Sequence, residues 1–272
     1  MKLDTNRAWK EASRNISRNR DAVLAVAGVF FLLPQLVLAL FFPQPEPAAG
    51  MSEQQIMDLA SAYYLSTLPV MLPLILAQAV GTLGLLSLLS HADRPTVGEA
   101  LRRGLAGLPT YLGAQLVVGV GVGLAGGLLL SILALSGAAA LAVAGLAMVV
   151  LAAIAIAVRV SLSGAAVAVG GERNPLRALR RSWALTAGNG WRLFGFYALF
   201  LIAFLVILTM VSVVLGIPLQ MLGGGTHAAT VMTSVISSTL NALMALYLVG
   251  IIGAVHSQLA GRSPEEERRT FE

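Results

Sequence analysis

Residues 174–215 read NPLRALRRSWALTAGNGWRLFGFYALFLIAFLVILTMVSVVL. The stretch begins with a basic segment whose first residues, Asn174 and Pro175, are favoured at the N-cap and first position of a helix. It continues into residues 193–215, an uncharged apolar run long enough to cross the hydrocarbon core of a bilayer as a helix. A capped basic helix followed by uncharged spans is the pattern from which the rest of the chain can be interpreted.

Similar apolar runs recur along the whole sequence. The chain is 57% hydrophobic and only 11% charged, whereas roughly a quarter of the residues of a soluble protein carry charge. We predict an all-α polytopic integral membrane protein, a single membrane domain over residues 1–272 with a short cytoplasmic tail at 259–272. The predicted spans are residues 22–42, 66–90, 111–134, 141–158, 193–215 and 229–255.

The distribution of charge predicts the orientation of these spans. All 18 Lys and Arg residues fall in segments on one side, while the connections on the other side, residues 43–65, 135–140 and 216–228, contain none. Lys and Arg near helix ends are retained in the cytoplasm during insertion. We therefore expect cytoplasmic N- and C-termini and, as location, the bacterial cytoplasmic membrane.

The composition also excludes several kinds of chemistry. The sequence has no cysteine, so disulfides and thiolate sites are absent. His91, His227 and His256 form no HxxxH pair, and no acidic residue lies within a predicted span. We expect no metal, no cofactor and no enzymatic activity. Although the pI is about 10.1, the positive charge flanks apolar spans, which favours anionic phospholipids as partners and not nucleic acid.

The basic segments share a capping pattern. Thr96 and Glu99 fit a capping box, and residues 100–103 repeat the ALRR of residues 178–181, with Asp4 in the cap position of a weaker copy. A fourth, degenerate copy begins at Ser263. The pattern predicts three tandem units at residues 1–90, 91–170 and 171–258, each an elbow helix followed by two spans; a chance match between capped basic segments is the alternative.

The three predicted elbow helices, at about residues 4–18, 96–108 and 174–186, are amphipathic. Such helices lie in the membrane interface, where each cation contributes about 1 kcal/mol near an anionic leaflet. They serve either to anchor helix ends or to bind lipid headgroups. The candidate headgroup-binding residues are Arg102, Arg103, Arg159, Arg177, Arg180 and Arg181.

A glycine-rich segment resembles a nucleotide-binding motif only in its letters. Residues 121–126 match GxGxxG, but they lie inside an apolar span and not at a strand-to-helix turn. Gly119, Gly123 and Gly127 recur at four-residue spacing, which favours close approach of two helices. We therefore predict helix packing at these three glycines.

Arg159 is the basic residue whose environment the sequence leaves most open. It follows an apolar run and precedes another, residues 160–169. If the helix continues to Val169, the guanidinium lies inside the membrane and needs a phosphate, carbonyl or water partner; if the helix ends near Val158, the side chain extends to the interface. The polar span residues form either interhelical hydrogen bonds or a transport path; they are Gln35, Gln78, Gln115 and Asn241.

One region resembles a known family. Arg159, Glu172, the ALRRSW of residues 178–183 and Trp191-Arg192 at the start of a span resemble the membrane domain of the glycerophosphodiester phosphodiesterase membrane-domain family and related six-helix bacterial inner-membrane proteins. In some members this domain precedes a soluble, metal-dependent phosphodiesterase barrel. The 272 residues contain no such barrel, so the resemblance implies a non-catalytic six-helix membrane domain.

These expectations favour a non-enzymatic membrane protein associated with inner-leaflet lipids, either in envelope homeostasis or as a partner subunit of another membrane or peripheral protein. The alternative is a small transporter or flippase-like subunit. A continuous polar cavity joining Gln78, Gln115, Asn241 and Arg159 would favour the alternative.

Overall fold

The computed structural model describes residues 2–90, 95–222 and 226–261, apart from the side chains of residues 220 and 222. Within this part of the chain the regular structure is helical and no strand occurs. The helices are α1 (Thr5–Arg18), α2 (Arg20–Ala27), α3 (Leu33–Phe41), α4 (Glu53–Ser90), α5 (Val97–Ala134), α6 (Ala139–Val160), α7 (Ser163–Ala168), α8 (Pro175–Thr186), α9 (Gly190–Val211), α10 (Ile217–Leu222) and α11 (His227–Leu259). Short π-helical turns, Gly28–Leu32 and Ser212–Gly216, connect α2 to α3 and α9 to α10.

Six helical segments of the described chain are long and apolar enough to cross a membrane. They are Arg20–Phe41, Glu53–Ser90, Val97–Ala134, Ala139–Ala168, Gly190–Leu219 and His227–Leu259. The prediction of an all-α fold with six spans is confirmed. Ser52 and Gln55 exchange both bonds of a capping box at the start of α4, which runs without interruption into the second span.

The buried core lies at one end of the bundle, which we call the basic end. At this end α4, α6 and α11 finish, α5 and α9 begin, and α1 and α8 lie against them. The main core cluster centres on Leu85, Leu86 and Leu246, and a second surrounds Leu162 and Ile251. Towards the other end, α5, α6 and α9 expose mostly apolar side chains, as expected of helices surrounded by lipid.

The predicted caps are present in all three basic segments. Asp4 accepts a hydrogen bond from the backbone of Arg7, Thr96 and Glu99 form a full capping box, and Asn174 accepts from the backbone of Leu176 and Arg177. Four residues after each cap stands an alanine with 0% exposure; these are Ala8, Ala100 and Ala178. The three segments are thus locally equivalent, while the division into three units stays a prediction. The copy at Ser263 lies outside the described residues.

Two features of the elbow helices differ from the prediction. Residues 96–108 do not form a separate helix, because α5 continues from Val97 to Ala134 without a break. In α1, the apolar face does not rest on lipid: Ala8, Ala12 and Ile16 are buried, and Ile16 packs against Gly250 of α11. The periodicity of an interfacial helix is the same as that of a helix packed on its own protein, so sequence alone could not separate the two.

The crossing of α4 and α5 is the closest helix contact near the core. A Cβ added at Gly104 of α5 would lie 3.1 Å from the backbone nitrogen of Gly84 and 3.1 Å from the backbone oxygen of Val80, both on α4. Because these are backbone atoms of a helix, they cannot move aside as a flexible side chain can. Glycine at 104 therefore allows the two helices to pack closely.

Gly104→Ala is expected to destabilise the protein by about 1–3 kcal/mol, because the added methyl group overpacks the α4–α5 contact. The measurement is thermal unfolding of the detergent-purified protein. Gly98→Ala is the matched control, since a Cβ there meets no atom within 4 Å, and it should leave stability unchanged or raise it slightly. Equal effects of the two substitutions would contradict this account of the crossing.

Candidate functional site

The break between α6 and α7 is held by a side chain from α8. The Ser182 hydroxyl donates to the backbone oxygen of Arg159 (2.7 Å) and accepts from the backbone nitrogen of Leu162 (3.1 Å). The Thr186 hydroxyl lies 3.3 Å from the same Arg159 oxygen but is closer to the backbone oxygens of Ser182 and Trp183 in its own helix, at 3.0 and 3.1 Å. Both hydroxyl-bearing residues are fully buried. Ser182 thus satisfies backbone groups that the end of α6 would otherwise leave without partners.

The side chain of Arg159 lies against α8 at the same point. Its Cζ is 5.5 Å from the centroid of the Trp183 ring, a cation–π distance. Its Nη1 atom is buried and makes no hydrogen bond within the described part of the chain. On another side the guanidinium packs on the first residue of α9, because a Cβ at Gly190 would lie 3.8 Å from the Arg159 Cζ.

These contacts bear on both alternatives for Arg159, whose depth in the membrane stays a prediction. The helix ends at Val160, close to the end near Val158 that the second alternative required. It does not continue to Val169. The side chain, however, does not extend freely into the interface. It is half-buried against Trp183 and Gly190, with one N–H-bearing nitrogen lacking an acceptor. The helix end thus agrees with the second alternative. The buried nitrogen without an acceptor agrees with the first, in which the guanidinium needs a partner.

The start of α9 adds a second positive end to this region. Asn189 stands at its N-cap but makes no capping bond to the first turn; the Asn189 Oδ1 accepts instead from the backbone nitrogen of Leu3, at 2.9 Å. The first-turn N–H groups therefore lack a side-chain cap. The positive end of the α9 dipole and the Arg159 guanidinium adjoin each other.

The other candidate arginines do not converge on Arg159. Arg181 forms an ion pair with Glu172, at 3.2 Å, and with Arg177 lies on the face of α8 roughly opposite to Ser182 and Thr186. Arg177 and Arg180 are exposed. Arg102 is exposed and Arg103 half-buried on a different helix, α5. The structure thus separates Arg159, which has a buried nitrogen without an acceptor among the described residues, from the other candidate arginines.

The predicted helix packing at Gly119, Gly123 and Gly127 is not met by any contact within the described chain. A Cβ added at any of them would meet no atom within 4 Å, so no helix approaches closely there. The close contact in this segment is at Gly126, where a Cβ would lie 2.8 Å from Val149 of α6. Gly119 and Gly123 instead line a crevice of about 570 Å³, which we call the central crevice.

The central crevice lies between α4, α5, α6, α7 and α11. Among apolar walls it has five polar residues, and no charged residue lines it. The polar residues are Thr82, Tyr111, Gln115, Ser161 and Ser163. Beside it, an apolar groove of about 450 Å³ runs between α5 and α6 and ends at Leu179 and Trp183 of α8; we call it the α5–α6 groove.

The crevice does not form the path that would join the polar span residues. Of the four residues in question it contains Gln115, while Gln78, Asn241 and Arg159 lie outside its lining. Asn241 donates to Ser237 and Gln115 donates to Tyr111, each within its own helix. The predicted interhelical hydrogen bonds are therefore not formed by these two amides.

The histidines are dispersed. His256 is buried near the end of α11 and not in the interface, His227 begins α11 and is exposed, and His91 lies outside the described residues. Over the described ranges, no three His, Asp or Glu side chains form a group that could hold a metal ion.

Sequence reasoning missed Trp183, Tyr111 and Ser163 as members of these sites. Trp183 was part of the amphipathic pattern of α8, but its stacking on Arg159 depends on how α6 and α8 cross. Ser161 and Ser163 carry the signal that could have revealed the helix break, because serine hydroxyls compete with helical backbone hydrogen bonds.

The described fold and its spans define the class of the protein as a multi-pass α-helical membrane protein. Within that class the chain belongs to the family described as Domain of unknown function (DUF7847), whose model matches residues 3–259. Neither a comparison with curated proteins nor one with solved structures gives a match. The resemblance to the glycerophosphodiester phosphodiesterase membrane domain stays a prediction.

Ser182→Ala is expected to lower the stability by about 1–3 kcal/mol, because it leaves the buried N–H of Leu162 without its acceptor. Thermal unfolding in detergent measures the effect. The control is Ser131→Ala, which removes an exposed hydroxyl bonded only to Gly127 of its own helix and should change stability by less than about 0.5 kcal/mol. A neutral Ser182→Ala would show that the helix break does not depend on α8.

Proposed function

We propose that the protein is a non-enzymatic component of the bacterial cytoplasmic membrane that binds anionic phospholipid of the inner leaflet at Arg159 and Trp183. Envelope homeostasis and service as a partner subunit are the two roles such binding would fit. The observation that carries the proposal is the Arg159 guanidinium, stacked on Trp183 with a buried Nη1 atom that no acceptor among the described residues satisfies.

An anion is the partner that such a guanidinium requires. The C-terminal end of α6 carries roughly half a negative charge and offsets part of the arginine charge, but the adjoining N-terminus of α9 has the opposite effect. A phosphate oxygen can accept from Nη1 and also neutralise the two positive groups. The half-exposed Trp183, at 49%, suits the interface between headgroups and acyl chains.

The exposed cations support binding to the same membrane surface. Arg102, Arg177 and Arg180 project from α5 and α8 at the basic end. Each contributes about 1 kcal/mol of attraction near an anionic leaflet, without selecting a particular headgroup. Arg181 contributes less, since Glu172 already neutralises it.

The proposed orientation places the basic end, α1 and the tail at residues 259–272 in the cytoplasm. It rests on the exclusion of Lys and Arg from the three opposite connections. The non-enzymatic assignment rests on the lack of cysteine and of acidic residues in the predicted spans.

A second candidate function is a small transporter or flippase-like subunit. The central crevice favours it, because it introduces hydroxyl and amide groups between spanning helices. The separation of the crevice lining from Gln78, Asn241 and Arg159 makes lipid association the better-supported of the two.

Arg159→Gln is expected to reduce the retention of phosphatidylglycerol about tenfold to a hundredfold, because a charge-assisted hydrogen bond is worth about 1.5–3 kcal/mol. Native mass spectrometry of protein purified in mild detergent and supplied with phosphatidylglycerol measures it. Arg159→Lys should recover only part of the binding, since a lysine ammonium keeps the charge but cannot offer the several fixed N–H donors of a guanidinium.

The matched control is Arg20→Gln, which removes one positive charge from an exposed arginine already paired with Asp21. It should leave retention unchanged. Equal losses in both variants would reduce the site to general charge attraction. If Arg102, Arg103, Arg180 and Arg181 are changed together to Gln and the identity of the bound lipid does not change, selective binding by the elbow helices is rejected.

The orientation predicts a pattern of chemical labelling. Because the sequence has no cysteine, single cysteines can be introduced without background. In intact cells a membrane-impermeant maleimide should label Ser52→Cys and Ser136→Cys, which lie in connections without Lys or Arg, but should label Ser17→Cys only after lysis. The reverse pattern would invert the proposed topology.

A further inference from the structure

We propose that the central crevice and the α5–α6 groove together bind one neutral lipid, with an uncharged hydroxyl- or carbonyl-bearing head in the crevice and its apolar chain in the groove. The proposed ligand differs from the anionic headgroup at Arg159, and its site meets that one only at Trp183, which lines the end of the groove.

Several hydrogen-bonding groups that line the crevice lack partners among the described residues. Ser163 is only 3% exposed, lines the crevice and makes no hydrogen bond to the described residues. The Tyr111 hydroxyl accepts from Gln115 Nε2, at 3.2 Å, and its own proton has no acceptor there. The Gln115 side chain is exposed, and its amide oxygen accepts no hydrogen bond from the described residues. The buried Ser163 hydroxyl and the proton of the half-buried Tyr111 are costly to leave without partners between spanning helices, unless a ligand or water satisfies them.

The linings of the crevice and the groove are uncharged. None of the residues that line the crevice or the groove carries a charge. A phosphate, carboxylate or ammonium group would therefore lose its hydration with no counter-charge to replace it. Hydroxyl, ester or quinone carbonyl groups can be accommodated, because Ser163, Tyr111 and Gln115 supply the hydrogen bonds that they need.

The central crevice and the α5–α6 groove are continuous with each other. Val118 and Val122 of α5 and Ala153 and Val160 of α6 line both the crevice and the groove. The groove is apolar and lies between helices that face lipid. A chain attached to a head in the crevice can therefore extend between α5 and α6 towards the acyl region of the bilayer.

Several glycines of α5 border the crevice and the groove. Gly119 and Gly123 line the crevice, while Gly121 and Gly126 line the groove. At 119, 121 and 123 an added Cβ would meet no atom, so these glycines leave space unfilled and do not permit a helix contact. Glycine is less favourable than alanine in a helix interior, and preserving room for a ligand accounts for its use at these positions.

The volume is consistent with such a ligand. The crevice, at about 570 Å³, falls within the range of roughly 300–1,000 Å³ of small-molecule sites. Two chemistries fit the head: the hydroxyl and ester groups of a diacylglycerol, and the ring carbonyls of an isoprenoid quinone. Both are uncharged and both carry long apolar chains.

The test uses the full chain purified in mild detergent, with dioleoylglycerol, menaquinone and phosphatidylglycerol supplied separately and binding measured by native mass spectrometry. The wild-type protein should retain one molecule of dioleoylglycerol or of menaquinone. Gly123→Leu should reduce that retention about tenfold, because its side chain occupies the crevice. Ser163→Ala should reduce it about threefold to tenfold through the loss of one hydrogen bond.

Gly127→Leu is the matched control, since Gly127 lies on the same helix, has open space around it and lines neither cavity. It should retain the neutral lipid as the wild type does. A melting temperature close to wild type in each variant shows that the fold is intact. The neutral lipid should also remain bound in Arg159→Gln, and phosphatidylglycerol in Gly123→Leu, so that the two sites can fail separately.

Which of the two neutral lipids binds distinguishes the hydroxyl from the carbonyl head, and either supports the proposal. If the wild-type protein retains neither lipid, the proposal is overturned, and water would be the occupant of the crevice. Retention that Gly123→Leu does not reduce, or that Gly127→Leu reduces equally, also overturns it, because the lipid would then bind elsewhere.

Discussion

The hydrogen bonds of Ser182 are the interaction on which the basic end of the molecule depends. A helix that stops inside a membrane protein exposes backbone groups that lipid cannot satisfy. Ser182 supplies both an acceptor and a donor at the break between α6 and α7. The break allows α7 to turn into the core, where it is almost entirely buried and forms part of the crevice lining. It also leaves Arg159 in the last turn of α6, beside Trp183.

Much of the fold could be predicted because it follows from local rules. Span lengths are set by bilayer thickness, and the caps at Asp4, Thr96 and Asn174 are set by the backbone geometry of a helix start. Neither depends on what packs against the helix. The burial of α1 against α11 could not be predicted, since Ala12 and Ile16 offer the same apolar face to lipid or to protein.

The same distinction between local rules and helix packing applies to the candidate sites. Arg159 could be singled out from sequence, because a cation between two apolar runs is unusual wherever it lies. Its stacking on Trp183 and the missing acceptor of its Nη1 atom depend on the angle between α6 and α8. The role of the α5 glycines depends on packing for a similar reason: small residues permit either a close helix or an open space, and the position of α6 decides between them.

The packing of α1 on α11 has a consequence for biogenesis. The contact between Ile16 and Gly250 joins two helices that are more than two hundred residues apart in the chain, so α1 is synthesised well before α11. At roughly 5–20 residues per second, about ten to fifty seconds of synthesis separate the two. During that interval the apolar face of α1 has no α11 to cover it, and the membrane interface is the surface that an amphipathic helix would occupy. The same periodicity of α1 therefore suits both the growing chain and the packed protein.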